Sequence, residues 1–272
     1  ALTGLRGFAV LLVLLAHTSN LGYTFFGLDT SGIGMNGVYL FFSLSAFLLT
    51  LQLNKASVHW KWEYLSEYIA KRIFRIYPLF ILVASFFLVV SLLIGEKVYI
   101  STLDTYLKTL FLQEGPGIFW TICVEFKFYI LLPVLVALMG RLKNNSVLVP
   151  VVIALFSLSC FLIRSDNKSD LLGYLPIFII SSYLAMRDKE VVFSLINGWL
   201  GLLGFIVSVL SVVLLVAGVL NPVLGTVLDY KFMQEYLFIY YFFCPYIVLY
   251  VSLCKNGLTG IFDNKIFIFM GE

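Results

Sequence analysis

Two ionisable residues in the first hydrophobic segment are the clearest candidates for chemistry. Arg6 and His17 lie eleven residues apart in LTGLRGFAVLLVLLAHTSN. At about 100° per residue, eleven steps return to within roughly 20° of the starting direction, so both side chains share one helix face, about 16.5 Å apart along the axis. We expect His17 near the middle of a membrane-spanning helix. An imidazole exchanges protons near neutral pH, and an ionisable group at that depth indicates a functional site.

The second candidate is a basic cluster further along the chain. Arg72 and Arg75 are three positions apart and therefore share one helix face. Two guanidinium groups on one face suit the recognition of phosphate or carboxylate. The alternative, which the spacing alone favours, is a basic cluster that sets topology and contacts lipid headgroups.

The third candidate is a carboxylate inside a hydrophobic segment. Glu125 must be paired or protonated at that depth. Lys127 is only two positions away, so the two side chains do not face each other. Glu125 must find its partner elsewhere, and His17 and Arg6 are the candidates. The alternative is a structural polar tie between helices.

Two serines form the last candidate group, within the segment GVYLFFSLSAFL. Ser43 and Ser45 can hydrogen-bond across helices. Packing is favoured over a nucleophilic role because no base lies at a local spacing that would activate either hydroxyl.

For the pair Arg6 and His17, the equally open alternative is an arginine that snorkels at the helix end and a histidine satisfied inside the bundle.

Composition determines which elements must position these residues. Hydrophobic residues make up 61% of the chain and charged residues 12%, which is typical of an integral membrane protein. The net charge of +3 gives no indication of a nucleic-acid partner. The four cysteines lie mostly in apolar segments without metal-ligand spacing, so we interpret them as packing residues. No metal cluster is visible in the sequence.

Apolar segments of near-spanning length predict an all-α, polytopic bundle of eight or nine spans. The predicted spans are 6–26, 36–53, 76–95, 118–140, 147–163, 170–186, 199–220 and 233–253, with a possible ninth beginning at Lys265. The eighteen Lys and Arg residues divide into twelve on the N-terminal side of the membrane, five on the other side, and Lys127 within a span. By the positive-inside rule the N-terminus is cytoplasmic.

One long cytoplasmic connection separates the second and third spans. Residues 54–75 are predicted to form an interfacial amphipathic helix that runs into the third span, with Glu67 and Lys71 as a favourable pair one turn apart. Pro78 would then lie in the first turn of that span, where proline is best tolerated. The whole chain, 1–272, is expected to be a single transmembrane domain truncated at both ends.

Four motifs in this order resemble the acyltransferase-3 family of integral membrane O-acyltransferases. The family has an arginine, ten residues and a histidine, which here are Arg6 and His17. Its G-V-x-L-F-F-x-L-S-G-F pattern is matched by 37–47, with Ala46 in place of glycine. The third motif, R-x-x-R with a following proline, is matched by Arg72, Arg75 and Pro78. The fourth motif, W-S-L-x-x-E-x-x-F-Y-x-x-x-P, has Thr121 here in place of serine and is matched by Trp120, Glu125, Phe128, Tyr129 and Pro133.

The resemblance covers residues 1–133 and implies a multi-pass inner (plasma) membrane enzyme. It would move an acyl group, most often acetyl, from cytoplasmic acyl-CoA to a hydroxyl of an envelope polysaccharide or lipid-linked sugar, among membrane lipids and without a permanently bound cofactor. The resemblance implies that His17 and Glu125 are catalytic, with Glu125 orienting the imidazole or holding its charge. The CoA phosphates would be bound by Arg6, Arg72 and Arg75. The substrate would be bound by Trp120, Tyr129 and Ser45. His17 would act as general base or as a transient acyl carrier.

Two other functional classes also fit these residues. A glycolipid or amphiphile transporter or flippase also uses intramembrane ionisable groups and a basic mouth, although no inverted repeat or pair of broken helices is evident from the sequence. A structural or sensory membrane protein would make the same residues packing features. The acceptor, the acyl chain length and the oligomeric state are not determined by the sequence.

Overall fold

The computed structural model describes residues 1–23, 30–56, 62–95, 99–142, 148–164, 167–214 and 237–272. Within these ranges the regular structure is helical and contains no strand. The helices are α1 (Leu2–Asn20), α2 (Gly34–Ala56), α3 (Trp62–Ile94), α4 (Leu103–Leu110), α5 (Trp120–Leu142), α6 (Leu148–Ile163), α7 (Leu175–Met186), α8 (Lys189–Ile196), α9 (Trp199–Leu214), α10 (Leu237–Leu253) and α11 (Lys265–Gly271). The all-α prediction is confirmed.

The number of membrane spans is supported only in part. Four helices among the described residues, α1, α2, α3 and α5, are long and apolar enough to cross a bilayer. A fifth is possible if α8 and α9, which are bent by 85° at their junction, count as one broken span. The helices α6, α7 and α10 are apolar but have 10–17 residues. The count of eight or nine spans and the cytoplasmic N-terminus therefore stay predictions.

The described chain divides into two compact units. The first comprises Ala1–Leu51, Ser146–Phe161 and Pro176–Glu272. Within it α10 packs on α9, where the Phe205 and Tyr250 rings stack at 4.6 Å. The ring of Tyr39 on α2 lies 5.3 Å from that of Tyr240 on α10. Large aromatic side chains therefore fill the spaces between these helices, as in the interiors of other proteins.

The second unit comprises Gln52–Asn145 and Leu162–Leu175. Its two long helices, α3 and α5, meet through an edge-to-face contact of Tyr77 and Phe126 at 4.8 Å. The short helix α4 is capped by Thr102, whose hydroxyl accepts a hydrogen bond from the Thr105 amide at 3.1 Å. The contact of Tyr77 with Phe126 therefore holds α5, which carries Glu125, against α3.

Helix α3 differs from the predicted third span in where it begins. It runs without a break from Trp62 to Ile94 over 33 residues. Of the predicted amphipathic helix 54–75, residues 54–56 belong to α2 and residues 57–61 lie outside the described residues, and its interfacial position stays a prediction. The Glu67 carboxylate and Lys71 ammonium pair at 2.6 Å, which confirms the expected i,i+4 contact. Pro78 consequently lies in the middle of α3 and not in a first turn. The prediction was wrong because the helix starts fourteen residues earlier than the apolar segment.

The cysteines behave as packing residues. Cys123, Cys160, Cys244 and Cys254 are all free and buried. This confirms the interpretation drawn from their apolar surroundings.

Candidate functional site

Helix α1 carries Arg6 and is held against the C-terminal end of the described chain by glycines. A Cβ atom at Gly4 would lie 1.6 Å from the carbonyl oxygen of Phe262, and one at Gly7 would lie 1.9 Å from that of Phe267. Only residues without a side chain allow so close an approach of two backbones. Beside them, Arg6 is half-buried and donates from Nη1 to the Gly271 carbonyl oxygen at 3.4 Å. The partner of this guanidinium is thus a neutral carbonyl.

His17 lies in the last turn of α1, which corrects the prediction of a mid-helix position. The helix ends at Asn20, and Gly22 follows with a positive φ of 90°. The imidazole side chain is exposed. The expected span ran on to residue 26 because 21–26 are apolar apart from Thr24, but the Leu21 and Gly22 turn ends the helix first. Arg6 and His17 still belong to one continuous helix, so their common face is retained.

A threonine outside the helix fixes the turn that carries His17. The hydroxyl of Thr30 donates to the Leu15 carbonyl oxygen at 3.0 Å, and its amide donates to the Ser19 hydroxyl at 3.1 Å. Thr30 is buried. These two bonds hold the last turns of α1 against the segment that leads into α2.

The two serines of α2 have different surroundings. Ser43 is fully buried and shares a hydrogen bond of 2.8 Å with Ser181 of α7. This confirms that Ser43 bonds across helices. Ser45 is half-buried on the same helix, and its assignment to substrate binding stays a prediction.

In the second unit, Arg72 and Arg75 lie near the middle of α3. Arg72 donates from Nη2 to Gln52 Oε1 at 3.2 Å, and its guanidinium carbon lies 5.7 Å from the centre of the Tyr68 ring. Its Nε is buried and has no hydrogen-bond partner. Arg75 is exposed. An arginine that is held by an aromatic face and an amide, and whose Nε donor is unpaired, is suited to bind an anion.

Glu125 has a partner four residues along its own helix. The Tyr129 hydroxyl donates to Glu125 Oε1, a contact that i,i+4 spacing on α5 permits. The hydroxyl of Tyr68 donates to the Tyr129 carbonyl oxygen at 3.2 Å. A continuous set of contacts therefore runs from Arg72 through Tyr68 and Tyr129 to Glu125. The sequence predicted that Glu125 needs a partner, but it missed the phenol one turn away.

Two further residues of α5 hold the connection before α7. Lys127 donates from Nζ to the Ser169 carbonyl oxygen at 2.8 Å, which confirms that it faces away from Glu125. The Trp120 ring is buried and lies 5.3 Å from the Tyr174 ring. Trp120 and Lys127 thus fix the segment 167–174 against α5, whichever substrate role Trp120 has.

The predicted site residues therefore form two groups, each described within its own unit. Arg6, His17 and Ser45 lie in the first unit, and the remaining five, Arg72, Arg75, Trp120, Glu125 and Tyr129, lie in the second. Sequence reasoning did not identify Thr30 or Tyr68 as supporting residues. Tyr68 precedes Arg72 by one turn, a spacing that could have been noticed. Thr30 has no distinguishing pattern, because its bonds go to backbone groups distant in the sequence.

These observations define a helical membrane protein with ionisable residues on apolar helices and a basic cluster on a long helix. The model of the family described as an acyltransferase domain, the acyltransferase-3 family, matches residues 1–272. The chain belongs to this family, as the four motifs indicated.

One curated relative gives a more specific description. The chain is 30% identical over 186 residues to a protein of Acidianus two-tailed virus named Putative acetyltransferase ORF330. The match covers 66% of this chain and 53% of the relative, so the chain spans about half the length of the curated relative it matches. No solved structure matches the chain.

Proposed function

We propose that the protein is a membrane-bound O-acyltransferase of the inner (plasma) membrane. It transfers an acyl group, with acetyl as the first candidate, from cytoplasmic acyl-CoA to a hydroxyl of an envelope polysaccharide or lipid-linked sugar. Membership of the acyltransferase-3 family over residues 1–272 is the observation that carries this proposal. The viral relative named as an acetyltransferase supports acetyl as the group transferred.

His17 is the residue we assign to proton transfer. As general base, its imidazole takes the proton of the acceptor hydroxyl while the hydroxyl oxygen attacks the thioester carbonyl carbon. The C–S bond then breaks, an ester forms, and the CoA sulfur leaves with the proton that the imidazole held. In the alternative route, the imidazole first carries the acyl group itself. The support for His17 is its placement on α1, on the same face as Arg6, in a turn held by Thr30.

The CoA phosphates are assigned to arginine. Arg72 has a buried Nε without a partner, and Arg75 is exposed three residues further along α3. A guanidinium with free donors suits a phosphate because its planar fork matches the phosphate oxygens. Arg6, bonded to a carbonyl oxygen and to no carboxylate within the described first unit, is the third candidate.

Glu125 is the second catalytic candidate. Its carboxylate accepts a hydrogen bond from the Tyr129 phenol. A carboxylate held in this way can stabilise positive charge that develops during proton transfer. Trp120, Tyr129 and Ser45 remain the candidates for substrate contact.

The test is an assay in membrane vesicles with radiolabelled acetyl-CoA, following free CoA and labelled envelope glycan together. Replacement His17→Ala is expected to lower both by a factor of about 10²–10⁴. Asn20→Ala, an exposed change in the same helical turn, is the matched control and should leave turnover unchanged. Full turnover in the folded His17 variant would remove His17 from the mechanism.

One observation favours a second function. Helices α8 and α9 meet at a bend of 85°, and if they form one broken span they would resemble the discontinuous helices from which transporters build substrate sites. A glycolipid or amphiphile transporter would move its substrate without releasing CoA. Release of one CoA per labelled acceptor in the vesicle assay therefore distinguishes acyl transfer from transport.

A further inference from the structure

Helices α8 and α9 meet at a bend of 85° that specific contacts hold in place. Helix α8 ends at Ile196, and α9 begins at Trp199. The Ile196 carbonyl oxygen lies so close to Gly201 that a Cβ atom there would be 1.8 Å from it. The Tyr246 hydroxyl of α10 donates to the Gly201 carbonyl oxygen at 2.9 Å. The first turn of α9 is therefore fixed by a residue without a side chain and by a neighbouring helix.

Helix α8 is a separate element and not a continuation of α7. Its N-cap is Asp188, whose carboxylate accepts a hydrogen bond from the Glu190 amide at 3.0 Å. It has eight residues, which give a length of about 12 Å, whereas the hydrocarbon core of a bilayer is about 30 Å thick. Since its axis is nearly perpendicular to that of α9, α8 adds almost nothing to the distance that α9 covers.

The direction of α9 then determines the direction of α8. Helix α9 begins an apolar segment, 199–220, that contains no charged residue and has the length of a span. Transmembrane helices are tilted by about 20° from the bilayer normal on average. A helix bent by 85° from such a span therefore lies within about 25° of the membrane plane.

The exposed side chains of α8 form two faces of opposite character. Val191 and Leu195, one turn apart, are exposed by 53% and 75%. Glu190 and Ser194, also one turn apart, are exposed on a face about 100° away. An apolar and a polar face, both left uncovered by the described residues, suit a helix at the boundary between lipid and water.

The exposed apolar surface continues beyond the bend. Trp199 at the corner is 73% exposed, and exposed apolar side chains follow on α9 at intervals of three or four residues, namely Leu203, Val207 and Leu210. Along a helix that crosses the membrane, such a stripe faces lipid. Tryptophan is enriched at the membrane–water interface, which is the depth expected for the corner between a surface helix and a span.

The charges beside α8 indicate how it would be held at a membrane. Arg187, Asp188, Lys189 and Glu190 precede or begin the helix, and together they have no net charge. The Arg187 guanidinium carbon lies 5.5 Å from the centre of the Tyr183 ring. These four positions therefore do not form a basic patch for anionic headgroups, and burial of apolar side chains is the favourable contribution that remains.

We propose that α8 lies on the membrane surface, with Val191 and Leu195 inserted between lipid chains and with Glu190 and Ser194 in water. The partner of this surface is the lipid–water interface of a bilayer, whatever the charge of its headgroups. In this arrangement α8 and α9 are a surface helix followed by a span and not one broken span. The inference concerns lipid contact alone, so it does not depend on acyl transfer.

The test measures the depth of two neighbouring positions on α8 in the full chain, reconstituted in phosphatidylcholine vesicles. Leu195→Cys and Ser194→Cys each receive a fluorescent label, and the unsubstituted protein, whose four cysteines are buried, gives the background. Spin-labelled lipid should quench the probe at 195 several-fold more strongly than the probe at 194, at a depth of roughly 5–10 Å. Iodide in the water should quench the probe at 194 more strongly.

Three other results would overturn this placement. Quenching of both probes by lipid labelled near the bilayer centre would show a broken span. Equal quenching of both probes by iodide would show that α8 lies in water. Protection of both probes from both quenchers would show that a protein, or a second copy of the chain, covers the helix.

Lipid charge gives a second measurement. Vesicles in which part of the phosphatidylcholine is replaced by anionic phosphatidylglycerol should give the same depth for the probe at 195. A deeper probe in the anionic vesicles would overturn the independence from headgroup charge.

The bend can be tested through Gly201. In Gly201→Ala the added methyl group must displace the Ile196 carbonyl, so the difference in quenching between positions 194 and 195 should decrease. Gly198→Ala is the matched control, because nothing lies within 4 Å of its Cβ position, and it should keep the difference. An unchanged difference in a folded Gly201→Ala protein would overturn the role of the bend in placing α8.

Discussion

Helices α1 and α5 each carry a candidate catalytic residue, yet they are held in place by opposite means. Helix α1 is positioned through the absence of side chains: Gly4 and Gly7 let its backbone contact the carbonyl groups of Phe262 and Phe267. Helix α5 is positioned by side-chain donors: the Tyr68 phenol donates to the Tyr129 carbonyl oxygen, and Lys127 Nζ donates to the Ser169 carbonyl oxygen. An added methyl group would disrupt the backbone contact of α1, whereas the loss of a donor group would weaken the contacts of α5.

The difference also concerns the two functional groups themselves. His17 is exposed at the end of α1, and the bonds that fix its turn go to backbone and hydroxyl groups. Glu125 is half-buried and bonded directly through its carboxylate. The residue proposed for proton transfer is thus accessible, while the residue proposed to hold charge is restrained.

Adding a single methyl group to the α1 contact should have the largest effect. Gly4→Ala and Gly7→Ala force a Cβ into a backbone carbonyl that cannot rotate away, so each should lower the free energy of unfolding by about 3 kcal/mol. Thermal unfolding in detergent would measure this. Gly260→Ala is the control, because nothing lies within 4 Å of its Cβ position. Equal stability of all three variants would contradict the backbone contact.

Replacing the Glu125 carboxylate or the Tyr129 hydroxyl on α5 should reduce kcat more than the free energy of unfolding. Glu125→Gln is expected to lower kcat about hundredfold, and Tyr129→Phe about tenfold because a hydrogen bond to a charged group is lost while the ring remains. Steady-state kinetics would measure both. Tyr106→Phe removes a phenol of the same unit that bonds to Ser85 at 2.8 Å, and it should leave kcat unchanged. An equal loss in Tyr106→Phe would indicate a general packing effect.

Substitution of Arg72 on α3 should raise the KM for the acyl-CoA donor and leave kcat nearly unchanged. Arg72→Lys keeps the charge but loses the planar fork and the contact with the Tyr68 ring, so the KM for acyl-CoA should rise about tenfold with little change in kcat. Lys71→Gln breaks the exposed pair with Glu67 and should change the KM by a factor of about two or less. The assignment fails if the two substitutions have equal effects.

The smallest effect is expected where α1 is fixed by a hydroxyl. Thr30→Val removes the bond to the Leu15 carbonyl and should lower kcat about threefold, because the turn that carries His17 gains freedom. Hydrogen exchange of the amides in the last turn of α1 should become faster. Thr18→Val, which removes the other hydroxyl on the same carbonyl, leaves the tie to Thr30 intact and should not change the exchange. Unchanged exchange in Thr30→Val would contradict the role of Thr30.

Sequence patterns predicted the features that depend on residues close together in the chain, namely helices and contacts within one helical turn. The apolar segments predicted helices at nearly every place where the structure has one, including the helix that begins at Lys265. The i,i+4 pair of Glu67 and Lys71 and the divergence of Glu125 from Lys127 followed from helix geometry alone. Helix ends were less predictable, because apolar residues continue past the true end of α1 and begin well after the true start of α3.

The sequence by itself determined the class and the family: its hydrophobicity requires a helical membrane protein, and its four motifs indicate the acyltransferase-3 family, because both are properties of residue type and spacing. Only the tertiary structure decided that His17 lies in the last turn of its helix, that Thr30 and Tyr68 support the candidate residues, and that Gly4 and Gly7 lie against backbone carbonyl groups. Those features depend on backbone groups brought together from distant parts of the chain, and residue identity gives no signal for where a distant carbonyl will lie.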